Sequence, residues 1–322
     1  MIRPFAYLVP LYAAALGAKN AAYERGWATP KKLQWPVVSI GNLSVGGAGK
    51  TPLVIRLAEM LVAAKVPVDV LSRGYGRNSS TTERVNPEGD AARYGDEPLL
   101  IARAAQVPVY VGASRYQAGL LAEHHSQATG IHLLDDGFQH RKLARDLDIV
   151  VLHASDFEET LLPAGRLREP LASLQRASAI VLRAEDRALE PELRKRGIHA
   201  PVWIQHRSLT AENVTRAIVF CGIARPQEFF AALRSQGIDL AAAIALGDHQ
   251  RYTRAELDRL AAALRHHGAP CFLTTEKDAA RLTPEQRARL EQTAPLRLAR
   301  LQVSLEDEPA ILAQLLQLLV RK

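Results

Sequence analysis

Residues 39–52 read Ser-Ile-Gly-Asn-Leu-Ser-Val-Gly-Gly-Ala-Gly-Lys-Thr-Pro, and this stretch limits the fold more than any other. Apolar Val37, Val38 and Ile40 lead into it as a buried strand would, and a helical pattern from Leu53 to Val62 follows. Gly46, Gly47 and Gly49 let the backbone turn tightly and present N–H groups inward. A helix opening at Lys50-Thr51 aims its positive end at the same point. Ser44, Val45, Gly46, Gly47, Ala48, Gly49, Lys50 and Thr51 are therefore expected to cradle phosphate. Lys50 would reach the β/γ-phosphates and the Thr51 hydroxyl would sit on Mg²⁺. Ser44 stands where the P-loop pattern has its first glycine.

Apolar strand-like runs alternate with helical patterns along the chain. Val66–Leu71, Val107–Val111, Ile131–Leu134, Leu147–Leu152 and Ala179–Leu182 read as strands. Such runs, bare of polar alternation and separated by helices, predict a mostly parallel sheet covered on both faces. Chemistry is then expected beyond the carboxyl ends of the strands. Residues 77–94 are polar and read as a loop or hairpin excursion, and residues 183–198 as a surface helix with its connection. A second unit begins near 209, with strands at Ala217–Phe220, Leu240–Leu246 and Pro270–Leu273 and helices at Pro226–Ser235 and Thr253–His266. The expected fold is α/β: a P-loop NTPase-like domain over 31–208, a smaller α/β domain over 209–322, and an N-terminal segment, 1–30.

Asp135-Asp136 ends the run Ile131–Leu134, the place where a carboxylate meets Mg²⁺ directly or through water; acids after strands also serve as plain helix caps. Gly95-Asp96-Glu97-Pro98 opens a helix at Leu99–Ala105, and Asp96 there is either a cap or the carboxylate that accepts a hydroxyl proton. Arg73 and Arg77 lie in Ser72-Arg73-Gly74-Tyr75-Gly76-Arg77, and Arg115 follows another strand; these are candidate phosphate clamps or solvated turn residues. Gln139-His140, Arg166, Arg168-Glu169, His249 and Thr274–Asp278 are polar groups in loops after apolar runs.

Phe5–Ala18 is apolar, with Arg3 before it, Lys19, Arg25, Lys31 and Lys32 after it, and no acid before Glu24. It is short for a membrane span, and Pro10 interrupts it. Ala15–Ala18 also resembles the end of a signal peptide, but an ATP site argues against export. An interfacial anchor accounts for the pattern, with Tyr7, Tyr12, Tyr23 and Trp27 near headgroups and basic residues on anionic lipid; a helix packed on the core is the plainer alternative. The net charge of +7 points to an anionic partner. No nucleic-acid module pattern is present, which favours a membrane surface or a phosphorylated substrate. Cys221 and Cys271 give neither a disulfide framework nor a zinc spacing.

Taken in order, these motifs resemble the tetraacyldisaccharide 4′-kinase family. The resemblance is carried by Gly41–Pro52, Ser72–Gly76, Gly95–Pro98, Asp135-Asp136-Gly137-Phe138-Gln139-His140, Leu162–Gly165, Leu167–Pro170, Gly222–Pro226, Asp248-His249 and Thr275–Asp278, over almost the whole chain. It implies ATP-dependent phosphorylation of the 4′-hydroxyl of a tetraacyldisaccharide 1-phosphate, the lipid A precursor, at the cytoplasmic face of the Gram-negative inner membrane. It implies two α/β domains with the site in their cleft and an N-terminal helix on the membrane. Apart from the resemblance, a monomer that binds no nucleic acid is expected. On these positions the resemblance makes Asp96 the base with His249 its partner and Lys50 a catalytic cation. Thr51, Asp135, Asp136 and Glu97 would serve Mg²⁺, and Arg73, Arg115, Gln139, His140, Arg168 and Glu169 the lipid substrate. Two rivals share the P-loop: a deviant ATPase, disfavoured because Val45 replaces the lysine before Gly46-Gly47, and a nucleotide-gated membrane switch.

Overall fold

The computed structural model describes residues 5–47, 49–126, 128–248 and 250–320. Its strands are β1 (Val37–Asn42), β2 (Val68–Ser72), β3 (Glu83–Arg84), β4 (Val109–Val111), β5 (Ile131–Asp135), β6 (Leu147–Leu152), β7 (Ala179–Arg183), β8 (Val202–Thr210), β9 (Arg216–Cys221), β10 (Asp239–Ala245), β11 (Phe272–Thr275) and β12 (Leu296–Leu305). The helices are α1 (Val9–Glu24), α2 (Lys50–Ala63), α3 (Ala91–Tyr94), α4 (Asp96–Ala105), α5 (Arg115–His125), α6 (Glu190–Lys195), α7 (Pro226–Ser235), α8 (Arg254–His267), α9 (Glu276–Arg281), α10 (Pro284–Glu291) and α11 (Glu308–Val320).

Among the described residues the strands form one sheet in the order β10-β9-β11-β12-β8-β7-β6-β1-β5-β2-β4-β3. Neighbours run parallel except β8 with β12 and β3 with β4. Every residue of β1, β2, β5 and β6 is buried, as a sheet covered on both faces requires. Leu53, Leu57 and Leu61, four residues apart on one face of α2, pack with Leu99 and Ile101 of α4 and Ile311 and Leu315 of α11 on one side. Each such side chain contributes about 1.5–3 kcal/mol by leaving water. α5 covers part of the other side through Ala118 and Ala122, and Leu193 of α6 joins a cluster around Phe138 and Leu174.

β8 decides where the site lies. Its first half, Val202–Gln205, pairs with β7, whereas Gln205–Thr210 pairs with β12. The second half thus overhangs the carboxyl edge of β1–β7 and carries β9–β12 out beyond that edge. Because β12 is antiparallel to β8, the carboxyl ends of β9, β10 and β11 turn back toward those of β1, β2 and β5. Residues just after strands on both sides therefore face one another. Residue 209, where the sequence places the start of the second unit, lies inside β8.

Several local expectations change. The 77–94 excursion contains β3, an antiparallel edge strand on β4, and the short α3 around a turn closed by Gly89 N–H to Asn86 O. The 183–198 segment is a 3-10 helix followed by α6 rather than one helix. Pro10 does not interrupt the N-terminal helix. It stands in the first turn of α1, where its missing N–H costs nothing.

Candidate active site

The glycine loop is held open from both ends. Val45 N–H donates to Arg166 O at 2.8 Å, and Arg166 returns its Nη2 to Val45 O at 3.0 Å. Gly46 has φ +102°, a conformation that strains any other residue, and a Cβ there would fall 2.2 Å from Arg166 Nη2 and displace that guanidinium. Gly49, φ +77°, caps α2 without a side-chain hydrogen bond, which leaves the first-turn N–H groups for a ligand. Ser44 is buried, Gly47 is exposed and Thr51 is half-buried in the first turn; Ala48 lies outside the described residues. Lys50 Nζ donates to Asn42 Oδ1 at 2.8 Å and sits 3.3 Å from Asp136 Oδ1. Asn42, fully buried, also donates to Ser44 O at 2.7 Å, so one amide aligns loop and lysine.

The two adjacent acids have opposite characters. Asp135 ends β5 buried; burial first, then the charges of Glu97 and Asp136, push its pKa up to about 7. Ser72 Oγ donates to its Oδ2 at 3.2 Å, while Oδ1 is buried with no hydrogen-bond partner. Burial also opposes the charge on Asp136, but Lys50 and Arg168 outweigh it and hold that carboxyl below its usual range. An orphaned carboxylate oxygen beside an ionised neighbour fits a cation. Among the described residues no group of three or more His, Cys, Asp or Glu could hold a metal. Two acids suit an ion that takes its remaining ligands from phosphate and water.

Across the cleft, Asp96 and Glu97 open α4 and meet α9. Asp96 Oδ2 lies 2.8 Å from both Nε and Nη2 of Arg281. Arg281 Nη1 donates to Gly222 O and to Asp278 Oδ1, which also accepts from Gly222 N–H and Tyr252 Oη. Glu97 accepts from Lys277 Nζ at 2.9 Å, and its charge also acts on Asp135, on the side of the acid pair where the sequence expects the metal. Gly95 is the cap of α4 and Asp96 its first residue, so Asp96 is not the capping residue; its Oδ1 accepts from Glu97 N–H. His249, expected beside Asp96, lies outside the described residues. Arg281 and Lys277 were missed in the sequence, although Lys277 stands inside a motif already singled out.

The loop after β5 gathers most of the remaining candidates. Arg168 Nη1 donates to both Asp136 oxygens, at 3.1 and 2.9 Å, and to Gln139 Oε1 at 3.2 Å. Gln139 Nε2 donates to Asn42 O at 2.9 Å, which ties this loop to β1. Arg115 is buried, and burial followed by neighbouring Arg73 lowers its pKa to about 10 against the pull of Asp136 and Asp135. Arg73 itself is exposed. His140 is driven down to about 4 by burial and then by Arg115, Arg145, Lys142 and Lys19. Glu169 does not join this group. Its carboxylate is buried against Arg176 at 2.9 Å, and that guanidinium lies over the Phe138 ring.

α1 docks on the same loops. Tyr12 Oη donates to Arg168 O at 2.9 Å and Lys19 Nζ to Gln139 O at 3.2 Å. Arg141 Nη1 donates to Asn20 Oδ1 at 3.2 Å.

The chain is similar to tetraacyldisaccharide 4′-kinases. Curated tetraacyldisaccharide 4′-kinases from Koribacter versatilis and Geobacter metallireducens are each 40% identical to it, the first over 98% of both chains and the second over 85% of this chain and 86% of its own. A crystal structure of LpxK from Aquifex aeolicus in complex with ATP is 31% identical, covers 99% of this chain and 100% of its own, and superposes with a TM-score of 0.76. The family model for tetraacyldisaccharide-1-P 4′-kinase matches residues 1–320. Matched over nearly its whole length by the family model and by relatives of 31–40% identity, the chain belongs to the tetraacyldisaccharide-1-P 4′-kinase family.

Proposed function

We propose that this protein transfers the γ-phosphoryl group of ATP to the 4′-hydroxyl of a tetraacyldisaccharide 1-phosphate in lipid A biosynthesis. The observation that carries the reading is the placement of Lys50 between Asn42 and Asp136, with Asp135 alongside, at the mouth of an uncapped glycine loop. Loop N–H groups and Lys50 bind the phosphate tail, and Ser44 to Thr51 shape the pocket. Thr51, Asp135, Asp136 and Glu97 would hold Mg²⁺, which would supply charge neutralisation at the phosphates. Asp96 takes the proton from the attacking sugar hydroxyl, and His249 supports it. Arg73, Arg115, Gln139, His140 and Arg168 orient the disaccharide and its phosphate; Glu169 acts from behind, through Arg176. Catalysis is then positioning and charge compensation, with little covalent work for the protein.

Residues 31–208 and 209–322 act as two lobes whose closure over the cleft excludes water from the transferring group. Residues 1–30 associate with the anionic cytoplasmic face of the inner membrane. Support for this comes from α1, none of whose residues is buried, and from exposed Phe5, Tyr7, Leu11 and Trp27 beside its basic flank. Among the described residues no helix is long and apolar enough to cross a membrane. The protein acts as a monomer and binds no nucleic acid.

The test is incubation of the purified protein with labelled ATP and a defined tetraacyldisaccharide 1-phosphate in detergent. Label is expected on the lipid. Water as sole acceptor would make the protein an ATPase, and absence of turnover would make it a nucleotide-gated switch.

A further inference from the structure

Arg207 is the notable side chain on the overhanging half of β8. It is opposite Val303 in the β8–β12 ladder, and its side chain reaches back to the glycine loop. A Cβ built on Gly49 would fall 1.2 Å from Arg207 Nη2 and 2.5 Å from its Cζ. The guanidinium therefore rests directly on the residue that caps α2. Arg166 occupies the matching position over Gly46, so one arginine covers each end of the loop. Lys50 directly follows Gly49 and opens α2.

Lys50, which pairs with Asp136 at 3.3 Å, gathers with Arg166 and Arg207 at the positive end of α2, where negative charge is favoured. Burial first, then Arg183, lowers the Arg207 pKa to about 10; Arg225 acts in the same direction, and Glu185 and Glu228 oppose them. A polyanion on the loop would compensate the charge.

We propose that Arg207 is a phosphate-binding residue of the nucleotide site, whose guanidinium engages the terminal phosphates of ATP. This rests on the reading of Ser44–Thr51 as the ATP cradle. Arg207 also ties the nucleotide to the strand that carries β9–β12, so occupancy of the cradle bears on how that half of the molecule sits. A guanidinium can give two N–H bonds to one phosphate, which an ammonium cannot match.

The experiment compares the full-length wild type with Arg207→Met, which keeps the packing stem, Arg207→Lys, which keeps the charge, and Lys50→Ala. Binding of a non-hydrolysable ATP analogue, ADP and AMP is measured by calorimetry at two salt concentrations, with thermal melting of the free proteins as a fold check. Losing a charge-assisted contact should weaken the ATP analogue about tenfold or more in Arg207→Met. AMP affinity should stay close to wild type, Arg207→Lys should fall between, and the salt dependence of ATP binding should flatten. Equal losses for all three nucleotides, or none, would overturn the role of Arg207. If Arg207→Met melts early, the ATP-to-AMP ratio of Arg207→Lys decides in its place. Wild-type ATP affinity in Lys50→Ala would overturn the cradle reading and this inference with it. Loss in Lys50→Ala with none in Arg207→Met would overturn only the latter.

Discussion

Asp96 and Arg281 form an ion pair across the cleft, with both side chains less than a tenth exposed and Oδ2 2.8 Å from two guanidinium nitrogens. Arg281 is in turn fixed by Asp278 and the Gly222 carbonyl, so the proposed base is held by the facing half of the molecule. Removing one member of a buried pair leaves the other charge stranded. Arg281→Met is expected to destabilise the protein by about 3–5 kcal/mol in denaturant titrations, with partial recovery in Arg281→Lys. Asp96→Asn should lower kcat by about a hundredfold or more while leaving ATP-analogue affinity near wild type. Retained turnover would remove Asp96 from the base role.

Asn42→Ala tests the alignment of the cradle. Its amide donates to Ser44 O and accepts from Lys50, and the residue is fully buried. Its loss removes a donor from Ser44 O, at about 1–3 kcal/mol, and leaves Lys50 to Asp136 without the amide that aligns it. The expected result is a higher KM for ATP with a smaller change in KM for the lipid, read from steady-state kinetics with each substrate varied in turn.

Gly41→Ala tests how closely β1 must meet the acid loop. A Cβ at Gly41 would lie 2.4 Å from Phe138 Cβ and 2.8 Å from Phe138 N, and backbone cannot swing aside. Overpacking of this kind costs about 1–3 kcal/mol or more. Melting should drop, and kcat with it, because Phe138 follows Asp136 by two residues.

His140 predicts an acid-side loss of stability. Its pKa falls from 6.5 to about 4 on folding, chiefly through burial. The unfolded chain therefore takes up the proton first as pH drops. Stability is full above pH 6.5 and declines as pH falls from there toward 4. His140→Gln should flatten that part of a melting-temperature profile, and an unchanged slope would assign the loss elsewhere.

Deleting residues 1–18 should release the protein from anionic vesicles in a flotation assay, while ATP-analogue affinity stays near wild type. Tyr12→Phe, which removes only the hydroxyl bonded to Arg168 O, should leave vesicle binding intact and cost about 1 kcal/mol in melting.

What could be read in the sequence was whatever local chemistry announces. Val37–Ile40, Gly46–Thr51 and Ile131–Asp136 carry their roles in consecutive residues, because an apolar run, a glycine turn and a strand-end acid are all short-range signals. β8 and β12 escaped that reading. Gln205-His206-Arg207-Ser208 looks like a loop, and β12 mixes Arg297, Arg300, Gln302 and Ser304 among its apolar residues, since both strands are partly open to solvent. The partners of the cleft were hidden for a different reason. Arg281 reaches Asp96 across 185 residues and Lys277 reaches Glu97 across 180, and only the reversal of strand direction at β8 brings them together.

The bonds from α1 end on main-chain oxygens: Tyr12 on that of Arg168, Lys19 on that of Gln139. A carbonyl is supplied by every amino acid, so this grip is indifferent to which side chains stand at those two positions. Evolution can revise the side chains at 139 and 168 without breaking those two bonds, while Arg141, which holds α1 through its own side chain, has no such freedom.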